Sequence, residues 1–334
     1  MPSTQHRRRQ ILHAGLGLGL GMTGLAPRAA HAADKYPSRP ITLVVPFPPG
    51  GSVDLMARQY AEPMSRILGV PFVVDNRPGA GGSVASLAVA RAKPDGYTLV
   101  VSSQSSHLAN PLTQPKVGYD PVKDFESIAI LARQPNVLVV HASLPIHTVK
   151  EFVDYAKKNP GKLNYGSGGV GSMGQLNVEM FKAVTGLYAT HIPYRGGTQL
   201  ITAVLADEVQ FILDNLLIML PHIQAGKVRA LAVAADARVP QLPDVPTMAE
   251  VGYPQLNLTS WTGLAAPGGT PDAIVQTLYK TVRQVALTPA MVTNLKERGV
   301  VVPEEMSPAA FEQMMAERMV KFGDVVRKAG ITAE

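Results

Sequence analysis

Apolar runs rich in β-branched residues alternate along this chain with helical stripes. That alternation calls for mostly parallel sheets covered by helices. Ile41-Thr42-Leu43-Val44-Val45 reads as a buried strand closed by Pro46. A helix is expected from Ser52 to Leu68, with Leu55, Ala61, Met64 and Leu68 inward. A strand over 72–74, the turn Asn76-Arg77-Pro78-Gly79, a helix over 83–91, the turn Pro94-Asp95-Gly96 and a strand over 97–102 complete a βαβαβ unit. A second such unit starts near Asn136. It has a strand over 137–140, a capping box at Thr148-Val149-Lys150-Glu151, and a stripe of Val149, Phe152, Val153 and Ala156. A strand over 163–165, a helix carrying Leu176, Met180 and Val184, and strands over 209–213 and 230–234 follow, with a helix reaching Ala225 between the last two. Residues 238–252 form a proline-rich connector, with a short helix expected behind the capping signal Thr247-Met248-Ala249-Glu250. A strand over 256–265, holding the only tryptophan, Trp261, returns to the first unit. Helices then start at Thr270-Pro271 and Ser307-Pro308, each with an N-cap residue and a proline at the first helical position. A chain that leaves one unit and comes back to it makes two lobes joined by two crossing strands, a hinged clamshell.

Two strand-to-helix handovers are rich in glycine. The first reads Pro46-Phe47-Pro48-Pro49-Gly50-Gly51-Ser52-Val53-Asp54, the second Gly166-Ser167-Gly168-Gly169-Val170-Gly171-Ser172. Such turns offer backbone N–H groups at a helix N-terminus, where the helix dipole favours negative charge. Two of them are expected to grip one small anion from both sides. The second has G-x-G-x-x-G spacing, but the acid a dinucleotide ribose needs about 20 residues on is absent, because that stretch reads Tyr188-Ala189-Thr190-His191-Ile192-Pro193.

Residues 1–33 have the layout of an export signal. Arg7-Arg8-Arg9 precede an apolar stretch over 11–26, and Ala30-His31-Ala32 fits a cleavage site. Arg8-Arg9-Gln10-Ile11-Leu12 is similar to a twin-arginine motif. A periplasmic location is expected. Residues 1–32 hold four arginines and no acid, so the formal charge of +6 falls to about +2 without them. No basic run is left to suggest nucleic acid. The chain has no cysteine, which excludes disulfides, thiolate metal sites and cysteine nucleophiles.

Ordered motifs over nearly all of the chain beyond the export segment carry a resemblance. They are Tyr36-Pro37-x-Arg39-Pro40-Ile41, Pro48-Pro49-Gly50-Gly51-x-x-Asp54, Asp75-Asn76-Arg77-Pro78-Gly79-Ala80-Gly81-Gly82 and Pro94-Asp95-Gly96-Tyr97-Thr98-Leu99. Tyr119-Asp120-Pro121-Val122-Lys123-Asp124-Phe125, Ile192-Pro193-Tyr194-Arg195-Gly196 and Leu242-Pro243-Asp244-Val245-Pro246-Thr247 complete them. With these the chain resembles the substrate-binding receptors of tripartite tricarboxylate transporters, the Bug family of periplasmic binding proteins. The resemblance implies an α/β, two-lobe Venus-flytrap fold. Lobe 1 would span 34–136 and 264–334, and lobe 2 would span 137–263. A small carboxylate would sit in the interlobe cleft of a monomer that serves membrane permease subunits.

Candidate ligand-binding residues follow from position. On the first loop they are Phe47, Pro49, Gly50, Gly51, Ser52 and Asp54, the last equally suited to the helix dipole. After the strand over 97–102 come Ser103, His107 and Asn110. The second loop gives Gly166, Ser167, Gly168, Gly171 and Ser172. Tyr194 follows a strand end, and Asp214 stands at another, either to bind an amino group or to cap a helix. Phe47 and Trp261 are candidates for an aromatic wall, though a lone tryptophan is more often core. G-x-S-x-G, H-E-x-x-H and Walker motifs are absent, and no cofactor or metal site is expected. A solute receptor is therefore the leading reading. A periplasmic sensor subunit and an exported hydrolase are the rivals, told apart by a signalling partner and by turnover.

Overall fold

The computed structural model describes residues 36–114 and 116–329, and the export segment read at 1–33 lies outside them. Two five-stranded sheets form the frame. In chain order the strands are β1 (Ile41–Val45), β2 (Phe72–Asn76), β3 (Thr98–Ser103), β4 (Phe125–Gln134), β5 (Asn136–His141), β6 (Asn164–Ser167), β7 (Thr190–Pro193), β8 (Phe211–Asn215), β9 (Val228–Ala234) and β10 (Ser260–Pro267). The helices are α1 (Ser52–Leu68), α2 (Ser83–Ala90), α3 (Asn110–Thr113), α4 (Val149–Lys158), α5 (Met173–Thr185), α6 (Gly197–Leu205), α7 (Leu216–Gln224), α8 (Asp272–Ala286), α9 (Pro289–Glu297) and α10 (Pro308–Ala329).

The first sheet has the order β2-β1-β3-β10-β4 and the second β7-β6-β8-β5-β9. In the first, only β10 runs against its neighbours; in the second, only β5 does. Each reversed strand is the first that the chain lays down on arriving from the other sheet. β5 follows β4 after Pro135 alone, and β10 follows β9 through the long connector. The same layout is thus built twice, and the two crossings join the sheets side by side. This is the expected α/β two-lobe architecture.

α1 shows why the elements form where they do. Val53, Met56, Ala57, Tyr60, Ala61 and Met64 repeat at helical spacing and are all buried. Gly69 ends the helix at φ 72°, its N–H donating to the Ser65 carbonyl. Leu55 and Leu68 are less inward than their spacing suggested. Leu55 is half-buried, packed against both the core of the first sheet and one in the second. In α5, Leu176 and Met180 are buried, but Val184 faces solvent.

The lobes share their interiors. Leu217 of α7 joins the core of the first sheet, while Leu108 and Ala109 join a core of the second. α10 straddles both, with Phe311, Met314 and Met315 in the first core and Phe322 and Val326 in the second.

Three local expectations are corrected. β4 was not anticipated, because Ala129 and Ala132 and its bulged register weaken its strand pattern. The reciprocal bonds between Thr247 and Glu250 do form, but Gly252 at φ 93° and Pro254 stop the chain after one turn. Thr270 does not cap α8; its hydroxyl turns back to the Pro267 carbonyl, and the helix starts beyond Pro271. Ser307 does accept from the Ala310 N–H at the start of α10. No described helix is long and apolar enough to cross a membrane.

Candidate functional site

Between the sheets lies an inner cavity of about 70 Å³, walled by both lobes and by the two crossing strands. The cleft above it is shut. The Met173 N–H donates to Ser105 Oγ at 2.9 Å and Thr198 Oγ1 donates to the Pro49 carbonyl at 3.0 Å, both from the second sheet's side to the first's. Gly196 and Gly197 lie against Pro48 and Gly51, so closely that a Cβ on Gly196 would stand 2.7 Å from Pro48 Cδ. The glycines of these loops therefore let two backbones meet across the cleft. Outside this seam is a larger hollow of about 810 Å³, lined by Phe47, Pro49, Tyr194 and Arg195 among others.

The first glycine loop delivers Gly51, Ser52 and Val53 to the cavity. Gly51 is the N-cap of α1 and no side chain caps the helix, so the N–H groups of its first turn have no helix carbonyl to meet. The second loop is different. There the N–H groups of Gly169, Gly171, Ser172 and Met173 already bond to Ser167 Oγ, Gln175 Oε1, the Gly169 carbonyl and Ser105 Oγ. Ser172 also caps α5, accepting from the Gln175 N–H. The two loops are thus not equivalent anion grips.

Of the residues singled out in the sequence, Phe47, Gly51, Ser52, Ser103, Gly168, Ser172 and Asp214 line the inner cavity. Pro49 and Tyr194 line the outer hollow, where the Tyr194 hydroxyl meets Glu208 at 3.3 Å. The others sit behind the walls. Gly50, at φ 85°, turns its N–H to Asp54, and Asp54 is buried in that loop clamp. Asn110 is buried beneath the turn before α2, its Nδ2 reaching the Ala80 and Gly81 carbonyls and Ser83 Oγ. His107 packs between Tyr119 and Phe125, and burial holds its pKa down at about 3, so it is a neutral core group. Gly166 gives Leu200 room, since a Cβ there would be 2.4 Å from Leu200 Cδ1. Ser167 is buried, bonded to the Gly169 carbonyl and to His191 Nε2 at 2.7 Å. Gly171 is held by Gln175.

The sequence reading missed the contribution of the crossing strands. Gln134, Asn136, Ser260, Trp261 and Thr262 all line the cavity, joined by Gln104 from the turn after β3. Trp261 serves both roles weighed for it. Its ring packs edge-on to Phe311 in the core, 5.1 Å between centroids, and it also borders the cavity. Two donors on this side, Gln134 Nε2 and Trp261 Nε1, are buried without a partner. Across from them the second lobe presents acceptors. Asn177 Oδ1 and Asn215 Oδ1 are also unpartnered, and Asp214 stands between β8 and α5. Burial raises the Asp214 pKa, against the opposing pull of its Asn215 donors, and no cation contributes. A signal for these residues was present: polar side chains at Gln134, Asn136, Ser260 and Thr262 interrupt otherwise apolar strands. Among the described residues, no group of three His, Asp or Glu side chains is placed to hold a metal ion.

Comparison with known proteins supports the two-lobe fold. Residues 56–331 match the model of the tripartite tricarboxylate transporter family receptor. The protein BugT of Bordetella pertussis is 35% identical over 320 residues, covering 96% of this chain and 97% of BugT. Among solved structures, Rpa4515 of R. palustris with adipate superposes with a TM-score of 0.86 at 37% identity, over 89% of this chain and 99% of that one. MatC of Rhodopseudomonas palustris with bound malate gives 0.84 at 34% identity, over 87% and 100%.

Proposed function

This chain belongs to the tripartite tricarboxylate transporter receptor family, and from that premise we propose that it is a periplasmic receptor for a small organic acid. It would hold the acid in the closed cleft and hand it to the membrane permease of a tripartite system. One observation carries the reading. The cavity walled by both lobes is lined by Gln134 and Trp261, whose Nε2 and Nε1 are buried without a partner, and by the uncapped start of α1. A buried donor without a partner costs about 1–3 kcal/mol, and a carboxylate is the acceptor that relieves several at once.

The donors define an orientation. The carboxylate faces the first lobe and the crossing strands, with Gly51, Ser52, Gln134 and Trp261 around it. The other end of the acid meets Asn177, Asn215 and Asp214, which suits a hydroxyl, an ammonium or a protonated second carboxyl. Adipate and malate, bound by two relatives, are the natural first probes. Ligand entry requires the seam between Pro48 and Gly196 to open, and the acid favours closure only through contacts that the open form lacks.

The test is a thermal-shift panel of mono-, di- and hydroxycarboxylates and acidic amino acids, because a ligand of the native state raises its midpoint by mass action. The reading expects a saturable rise for one class, with the acid recovered unchanged. Chemical conversion of the acid, or no rise for any acid alongside none released on denaturation, would refute it.

A further inference from the structure

Arg318 lies midway along α10, between the part of the helix that enters the first core and the part that enters the second. It is turned inward and half-buried. Its Nη1 donates to Gln104 Oε1 at 3.0 Å and to the Thr259 carbonyl at 3.0 Å. Both acceptors are neutral, and among the described residues Arg318 forms no ion pair. Burial and the like charge of Arg133 lower its pKa to about 10, while Asp236, already bonded to Asn257, pulls the other way. The guanidinium nonetheless stays charged at neutral pH.

A guanidinium has donors only, so the Gln104 amide must face it with its oxygen. That leaves Gln104 Nε2 on the opposite side, in the wall of the cavity, where Met173 Sδ at 3.4 Å is its weak partner across the cleft. Gln104 is 1% exposed, so bulk water does not reach its amide. One side chain therefore stands between this half-buried cation and the cavity.

We propose that Arg318 is the positioning residue and counter-charge for the carboxylate of the bound acid. It acts through Gln104, which it holds with the amide nitrogen toward the ligand. The inference rests on the organic-acid reading of the cavity and names the element that sets its preference for charge. It also links closure to α10, because Arg318 ties the first lobe, through Gln104, to the return crossing at Thr259.

The test uses the purified protein and its R318K, R318M and Q104E variants, titrated calorimetrically with adipate, with malate and with neutral adipamide. R318M is expected to lose about tenfold or more in affinity for the acids, the effect of one unit charge at this range in a partly buried site. R318K should retain most of the affinity, and R318M should lose much less affinity for adipamide than for the acids. The midpoint of unliganded R318M should change little, since the relieved desolvation of the cation offsets the two bonds lost at Gln104 and Thr259. Q104E should weaken acid binding while keeping its bond to Arg318, so it probes the same link in a folded protein. Acid affinity unchanged in R318M, or an equal loss for acids and adipamide, would overturn the proposal. If wild type binds none of the three probes while other acids in the thermal panel bind, the tightest of those and its amide replace them. If no acid binds at all, the receptor reading itself falls and takes this inference with it.

Discussion

Asp54, in the first turn of α1, accepts the Gly50 N–H at 2.9 Å and so fixes the loop that leads into its own helix. Arg58 Nε at 3.0 Å and Asn76 Nδ2 at 2.9 Å complete the clamp. Burial would raise the Asp54 pKa, but the bonds from Arg58, Gly50 and Asn76 outweigh it and hold the carboxyl below its ordinary value. A depressed folded pKa supplies stability that is present above the unfolded value of about 3.9 and is lost as pH falls through the folded one. Asp54→Asn should therefore cost about 1–3 kcal/mol at pH 7. The gap to wild type in urea melts should narrow as pH drops toward 3, and a gap that stays constant would mean the charge plays no part.

Asp214 carries the opposite sign. Burial raises its pKa, so its contribution is favourable below the unfolded value of about 3.9 and is lost as pH rises through the folded pKa. Asp214→Asn is expected to raise the calorimetric midpoint at pH 7.5 and to match wild type near pH 3.5. A lower midpoint at pH 7.5 would show that the ionised carboxylate is needed by the fold.

Gln134 places an unpartnered donor in the cavity, and removing it should separate stability from binding. Gln134→Leu should leave the stability of the empty protein within about 1 kcal/mol of wild type, because the unpartnered Nε2 is lost together with the weak bond that Oε1 accepts from Thr262 at 3.4 Å. Its affinity for the bound acid should fall about tenfold, the loss of one charge-assisted bond. Parallel denaturant melts and calorimetry would read both, and a loss of stability with binding intact would reverse the assignment.

Closure depends on Gly196. At φ 95° it is strained by any side chain, and a Cβ would also strike Pro48. Gly186, at φ 70° with open space around it, has the strain without the clash. Both alanine variants should lose about 1–2 kcal/mol of stability. Only Gly196→Ala should lose acid affinity, about tenfold or more, and keep an enlarged radius of gyration in scattering with ligand present. Equal affinities in the two variants would remove the seam from the mechanism.

How much could be read in advance varied with the kind of interaction. β1 and α1 appeared over the residues expected, because β-branched runs and helical stripes are local signals. Asp214 and Ser172 could be placed on the cavity from strand-end and cap positions alone. His107 and Asn110 also follow a strand end, yet the chain there makes a π-helical turn over Ser105–Ala109 that buries them. Gln134 and Arg318 were not picked out as site residues, because their roles exist only once distant strands and α10 converge. The second glycine loop illustrates the same limit. Its spacing suggests an anion site, but Ser105, 68 residues before Met173, already accepts from that loop's helix.

An acid held in the cleft would lie against Trp261, and this chain's single tryptophan makes that directly measurable. Fluorescence titration with the tightest acid of the panel should give a saturable, one-to-one change in Trp261 emission whose midpoint equals the calorimetric one. Calorimetric binding that leaves the Trp261 emission unchanged would place the ligand elsewhere and contradict the account.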